Sequence, residues 1–198
     1  MEIRSATLQD VASIVKIHES AFDGFFLTSL GSRFLTFYYK AFVKSEDSVV
    51  LCAIEDELVL GFSAATKQCK GFNSKLIKKN LLSFFGLSMK LLFTQPSALV
   101  RLAKNLTKKS EDVEDNEEYA ELYSIGIRSD AQGKGIGKKL LNATETNLKE
   151  EGVEKVSLTT DYYNNESAVA FYHSMGYSTL YEFVTYPKRK MYRLIKVL

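Results

Sequence analysis

The order of elements along this 198-residue chain predicts an α/β (α+β) fold. It is a mixed, mostly antiparallel twisted sheet flanked by helices, with a helical insertion between the third and fourth strands. Three observations predict it. Strand and helix patterns alternate from Ala120 to Gly176, which calls for some parallel pairing. Paired apolar runs stand near both ends, which calls for hairpins and antiparallel pairing. Between Lys67 and Lys109 there are ten lysines and arginines and no acid, and from Glu111 to Glu121 the balance reverses. That break reads as a basic helical insertion and acidic linker, 67–117, inside a single domain spanning 1–198.

The elements follow in order. "EIRSAT" alternates and reads as a strand, and Asp10 stands where it can cap a helix over "VASIVKIHESAF". "GSRFLTFYYKAFVKSE" has helical spacing. "SVVLCAIED" and "ELVLGFSAATK" read as two strands joined at the acidic turn Glu55-Asp56-Glu57. The insertion holds two helical patterns, "SKLIKKNLLSFFGLSMKLLF" and "PSALVRLAKNLTKK", with Pro96 suited to the first turn of the second. "AELYSIGI" is a strand, and the helix "GKKLLNATETNLKEEG" stops at Gly152. "KVSLTTDYY" is a strand and "NESAVAFYHSMG" a helix stopped by Gly176. "YSTLYEFVTY" and "KMYRLIKVL" are two final strands split by Pro187, the last expected at an exposed edge where it could pair across a dimer.

Bulk properties exclude several classes. The chain is 45% hydrophobic and 25% charged, ordinary for a globular domain. A net charge of +2 argues for no nucleic-acid partner. The two cysteines, Cys52 and Cys69, form no disulfide framework or CxxC pair. The opening residues have no apolar core, and the most apolar run is interrupted by Lys90. The expectation is a cytoplasmic protein, monomer or homodimer, with no integral membrane segment; peripheral contact through the basic insertion stays open.

"DAQGKGIGKKLL", Asp130–Leu141, carries three glycines before a helical pattern. A P-loop needs four residues between its glycines and a hydroxyl after the lysine; here three residues separate Gly133 from Gly137, and Lys139 stands at the hydroxyl position. The dinucleotide fingerprint needs its third glycine one position later. The spacing Gln/Arg-x-x-Gly-x-Gly/Ala fits Gln132, Gly135 and Gly137, between a strand and a helix. Free N–H groups at such a helix start attract an anion, and Lys134, Lys138 and Lys139 add charge. A glycine turn that merely starts a helix is the plainer alternative.

This segment resembles the acetyl-CoA-binding segment of the GNAT (general N-acetyltransferase) superfamily. "NNESAVAFYHSMGY" is similar to a second GNAT pattern, with Asn165, Ala168, Tyr172 and Gly176 on the family positions and Tyr177 for the usual Phe. The resemblance covers nearly the whole chain except the basic insertion. It implies transfer of an acetyl group from acetyl-CoA to a primary amine by direct attack, with no metal required. It implies that the strand before the loop splays and binds pantetheine through the backbone of Ile125, Gly126 and Ile127, with an oxyanion donor near Ile125. It assigns the pyrophosphate to Gln132, Gly133, Lys134, Gly135, Ile136, Gly137 and Lys138. Asn165 becomes a polar cofactor contact or a helix N-cap, and Tyr172 the acid that protonates the leaving thiolate or a core residue.

Glu121, eleven positions before Gln132, matches the catalytic glutamate of the histone-acetylating branch. Alternation puts it on one face with Tyr123 and Ile125. A solvated residue ending the acidic linker is its plainer reading. Asp161 competes for the base role, and His18 and His173 are more ordinary as structural or surface groups. The acceptor is read as a small amine, with an amino sugar contacting Asp23, Tyr163 or Asn164 as one form. A protein or peptide amine is the alternative, and a non-catalytic acyl-CoA-binding module the second.

Overall fold

The computed structural model describes residues 1–80, 115–185 and 188–198. The strands are β1 (Glu2–Ser5), β2 (Ser48–Glu55), β3 (Leu58–Thr66), β4 (Ala120–Ile127), β5 (Lys155–Asp161), β6 (Ser178–Thr185) and β7 (Arg189–Val197). They form one sheet in the order β1-β2-β3-β4-β5-β7-β6. Every neighbouring pair is antiparallel except β4–β5. The helices are α1 (Val11–Ala21), α2 (Phe26–Ser29), α3 (Ser32–Val43), α4 (Phe72–Lys79), α5 (Ile136–Glu150) and α6 (Glu166–Ser174). The mixed, mostly antiparallel sheet read from the sequence is the sheet observed. Among the described residues no helix is long and apolar enough to cross a membrane.

Two cores cover the sheet. α5 presents Ile136, Leu140, Leu141 and Leu148, a helical stripe, to Leu51, Ala120, Leu122, Val156, Leu158 and Leu194. On the other face Val11, Ile14 and Val15 of α1 join Leu35, Tyr39 and Phe42 of α3 against Val50, Cys52, Phe62 and Ala64. β2 supplies both cores because period-two alternation sends Val49, Leu51 and Ala53 one way and Val50 and Cys52 the other. The β2–β3 turn places Asp56 at φ 48° and Glu57 at φ 65°. Two left-handed residues give the turn twist that two-residue hairpins prefer.

Several expectations change. Asp10 precedes α1, but its carboxylate makes no cap. It faces backward, taking two bonds from Arg4 at 2.8 and 3.0 Å and the Thr7 N–H at 2.7 Å. The last strand is not an edge: β7 lies between β5 and β6, so β6 is the edge at that end of the sheet. The first insertion helix, expected without a break from Ser74, is observed as α4 but stops at Lys79, with Asn80 out of helical geometry; residues 81–93 of it, and the second helix, lie outside the described residues.

Candidate active site

β4 pairs with β3 along its length but with β5 only at Ala120–Val156, Glu121–Ser157 and Leu122–Leu158. Beyond Leu122 the parallel strands part. Tyr123–Ile127 therefore keep one edge with backbone groups that no strand among the described residues satisfies, and such groups seek a partner. A cleft of about 1050 Å³ opens there, lined by Glu121–Ile125 of β4 and Leu158–Asp161 of β5. Asn165 just before α6, Tyr172 of α6, Arg193 and Met191 of β7, His18 of α1 and Phe22 just after it also line its wall. A second cleft, of about 1510 Å³, lies beside Asp47, Lys67 and Glu151, and none of Ile125, Asn165 and Tyr172 lines it.

A register shift sits where the strands part. Ala64 faces Ser124 while Ala65 faces Leu122, so Tyr123 is an extra residue, a β-bulge. The bulge reverses the alternation. Tyr123 packs with Phe42 and Phe72 on the α1/α3 face, whereas Ile125 and Ile127 pack with the α5 core. The expectation that Tyr123 and Ile125 share a face is thus corrected. Gly126 has a packing reason of its own: a Cβ would stand 2.9 Å from Phe62 and 3.4 Å from Ile17 and Phe22.

The glycine loop follows β4 directly. Gln132 Nε2 donates to the Ile127 carbonyl at 3.4 Å, which ties the loop to the strand end. Gly133 and Gly135 both have φ +75°, a conformation that disfavours side chains. Gly137 is different. It is helical, and a Cβ there would meet only Ile127 Cγ1 at 3.9 Å, so neither backbone nor packing demands glycine. Among the described residues the first bond into α5 is Lys139 N–H to Gly135 C=O at 3.1 Å. The N–H groups before it are orphans of the helix start. Open space beside Gly133 and Gly135, orphan donors and the exposed Lys134 and Lys138 make a cradle that fits a pyrophosphate.

The titratable residues divide by environment. Glu121 is 8% exposed; its Oε1 accepts from Arg193 Nη1 at 2.6 Å and its Oε2 from the Cys69 thiol at 3.0 Å. It does not end the linker in solvent. Burial works against the Arg193 charge, but Glu121 beside it wins and holds the guanidinium protonated. Asp161 is paired by both nitrogens of the Arg189 fork. Burial pushes the Tyr172 phenol up to about 12, so it enters the site as a neutral donor. Asn165 precedes α6 but makes no side-chain cap; its amide donates to Thr160 Oγ1 at 2.5 Å, fixing the end of β5. His173 turns to the Tyr177 carbonyl, and neither it nor Asp23, Tyr163 or Asn164 lines the cleft.

Sequence reasoning set His18 aside as a structural or surface group, gave Cys69 no part in the site, and passed over Arg189 and Arg193. His18 carried a signal: it falls seven residues after Val11, in the buried stripe of α1. The arginines carried none, because their partners lie 28 and 72 residues away.

Residues 96–177 match the model of the acetyltransferase (GNAT) family. A mycothiol acetyltransferase of Saccharomonospora viridis is 38% identical over 66 residues, 33% of this chain and 21% of that protein. The chain spans only 17–24% of the length of this and two similar curated relatives. The ribosomal-protein-alanine N-acetyltransferase of Brucella melitensis superposes with a TM-score of 0.66 over 100% of both chains at 16% identity. PaiA N-acetyltransferase of Thermoplasma acidophilum, solved in complex with coenzyme A, superposes with a TM-score of 0.55 over 100% of this chain and 98% of its own at 14% identity.

Proposed function

We propose that the chain is an acetyltransferase of the GNAT family, whose model residues 96–177 match, and that it moves an acetyl group from acetyl-CoA to the primary amine of a small molecule. The observation that carries this is the parting of β4 from β5, which leads along one strand into a loop where, among the described residues, the space beside Gly133 and Gly135 is open. Acetyl-CoA supplies the thioester carbon that the amine attacks and the thiol that leaves. The chain's own residues do the rest.

The N–H groups of Gly133–Lys138 and the positive end of α5 hold the pyrophosphate, with Gln132, Lys134 and Lys138 beside it. The open edge at Ile125, Gly126 and Ile127 pairs with the pantetheine amides, and an N–H near Ile125 steadies the carbonyl oxygen. Asn165 holds the end of β5 and contacts the cofactor. Tyr172 donates its phenol proton, or a hydrogen bond, to the sulfur. A phenol near 12 lies about 3–4 units above a thiol near 8–9, so the hydrogen bond matters more than full transfer. Glu121 takes the amine's proton directly or through water. Each of its oxygens already accepts one hydrogen bond and keeps a second lone pair for the ammonium or a water.

The curated relatives named mycothiol acetyltransferase support a small acceptor over a protein. An amino sugar is one such amine; Phe22, Phe25, Phe26 and Phe183 give the wall its flat apolar surfaces. The test is thiol release from acetyl-CoA against amino sugars, amino acids, polyamines and peptides. Turnover with a small amine and not with peptides is expected. Tight coenzyme A binding without turnover of any amine would replace this reading with a binding module.

A further inference from the structure

One buried group in the cleft wall has no task in the steps above. His18 is 3% exposed, and its Nδ1 lies 2.6 Å from the Tyr39 hydroxyl. That hydroxyl also meets Ser124, on β4 beside the bulge. The ring is fixed between Phe22, with centroids 4.7 Å apart, and Tyr39, at 5.6 Å. Its other nitrogen, Nε2, is buried and has no partner among the described residues, although the ring lines the cleft. A buried polar atom without a partner costs about 1–3 kcal/mol. A ligand that supplies the partner recovers that cost.

We propose that His18 belongs to the acceptor subsite, where its Nε2 accepts a hydrogen bond from the acceptor's primary amino group. The proposal rests on the acetyl-transfer reading and adds the residue that holds the attacking nitrogen. It fixes the tautomer. Nδ1–H donates to Tyr39 Oη, and Nε2 keeps its lone pair. The bond to Tyr39 holds the ring against α3 and leaves Nε2 for the amine. Burial holds the imidazole down at about 4, so the ring stays neutral at physiological pH and binds the amine without charge repulsion.

The chain has two histidines, which makes ¹⁵N spectra of the imidazoles simple. The full chain is saturated with coenzyme A and then titrated with propylamine. The expected result is an unprotonated His18 Nε2 that shifts on adding propylamine while His173 stays. His18→Asn keeps a group for Tyr39 but removes Nε2, and is expected to weaken propylamine about tenfold at unchanged coenzyme A affinity. His18→Gln, which restores a polar atom near Nε2, is expected to recover part of that loss. A protonated Nε2, no shift with propylamine, or equal loss of both ligands in His18→Asn overturns the proposal. Absence of coenzyme A binding to the unaltered chain overturns the acetyl-transfer reading instead, so the two failures are distinguishable.

Discussion

Gly137 separates a folding role from a binding role. Its backbone is helical, and an added Cβ meets only Ile127 at 3.9 Å, ordinary van der Waals contact. Glycine in a helix costs about 0.8–1 kcal/mol against alanine or leucine, somewhat less in the first turn. Gly137→Ala and Gly137→Leu should therefore each stabilise the free protein by about 0.5–1 kcal/mol, or roughly 1–4 °C in Tm for a chain of this size. Binding should split the two variants. The resembling motif accepts glycine or alanine at this position, so Gly137→Ala should keep coenzyme A affinity within a few-fold. The longer leucine fills the cradle and should weaken it at least tenfold, about 1.4 kcal/mol. Urea unfolding and calorimetric titration with coenzyme A read the two quantities. Loss of stability in either variant, or unchanged affinity in Gly137→Leu, would refute the reasoning.

Three further outcomes follow from the geometry. Gly126→Ala should cost about 1–3 kcal/mol by overpacking, since its Cβ falls 2.9 Å from the fully buried Phe62; Phe62→Leu in the same chain should return part of that in thermal unfolding, and strict additivity would contradict the contact. Asp10 is held at about 2, first by its bonds from Arg4, against about 3.9 unfolded, so it contributes about 2 kcal/mol above pH 4 that disappears as pH falls towards 2. The stability gap between the protein and Asp10→Asn should therefore close between pH 4 and 2, and a gap constant over that range would exclude the ion pair as its cause. Tyr172→Phe should lower turnover about 10- to 100-fold with coenzyme A affinity within twofold, read by steady-state kinetics and calorimetry; equal loss of both would make Tyr172 a packing residue.

Local features of the fold were legible in the sequence. The acidic turn between β2 and β3, the stops at Gly152 and Gly176 and the span of β4 each depend on residues within a few positions. What failed was non-local. The bulge at Tyr123 arises from pairing with Ala64 and Ala65, about 60 residues earlier, and it turned Ile125 to the other face. β7 became interior because β6 folds back outside it. Asp10 left its cap because Arg4, six residues before it, offers two charged donors. In the site, motif spacing marked the loop, Asn165 and Tyr172, all of which depend on short patterns. It did not mark His18 or Arg193, whose surroundings are assembled from α3, β4 and β5.

The most direct test of the cofactor assignment is the set of backbone amides that respond to coenzyme A. In ¹H–¹⁵N spectra of the full chain, the largest shifts are expected at Gly133–Lys138 and along Tyr123–Ile127, the loop and the open strand edge. Shifts confined to the second cleft, around Lys67, Glu151 and Gly152, with the glycine loop unmoved, would contradict it.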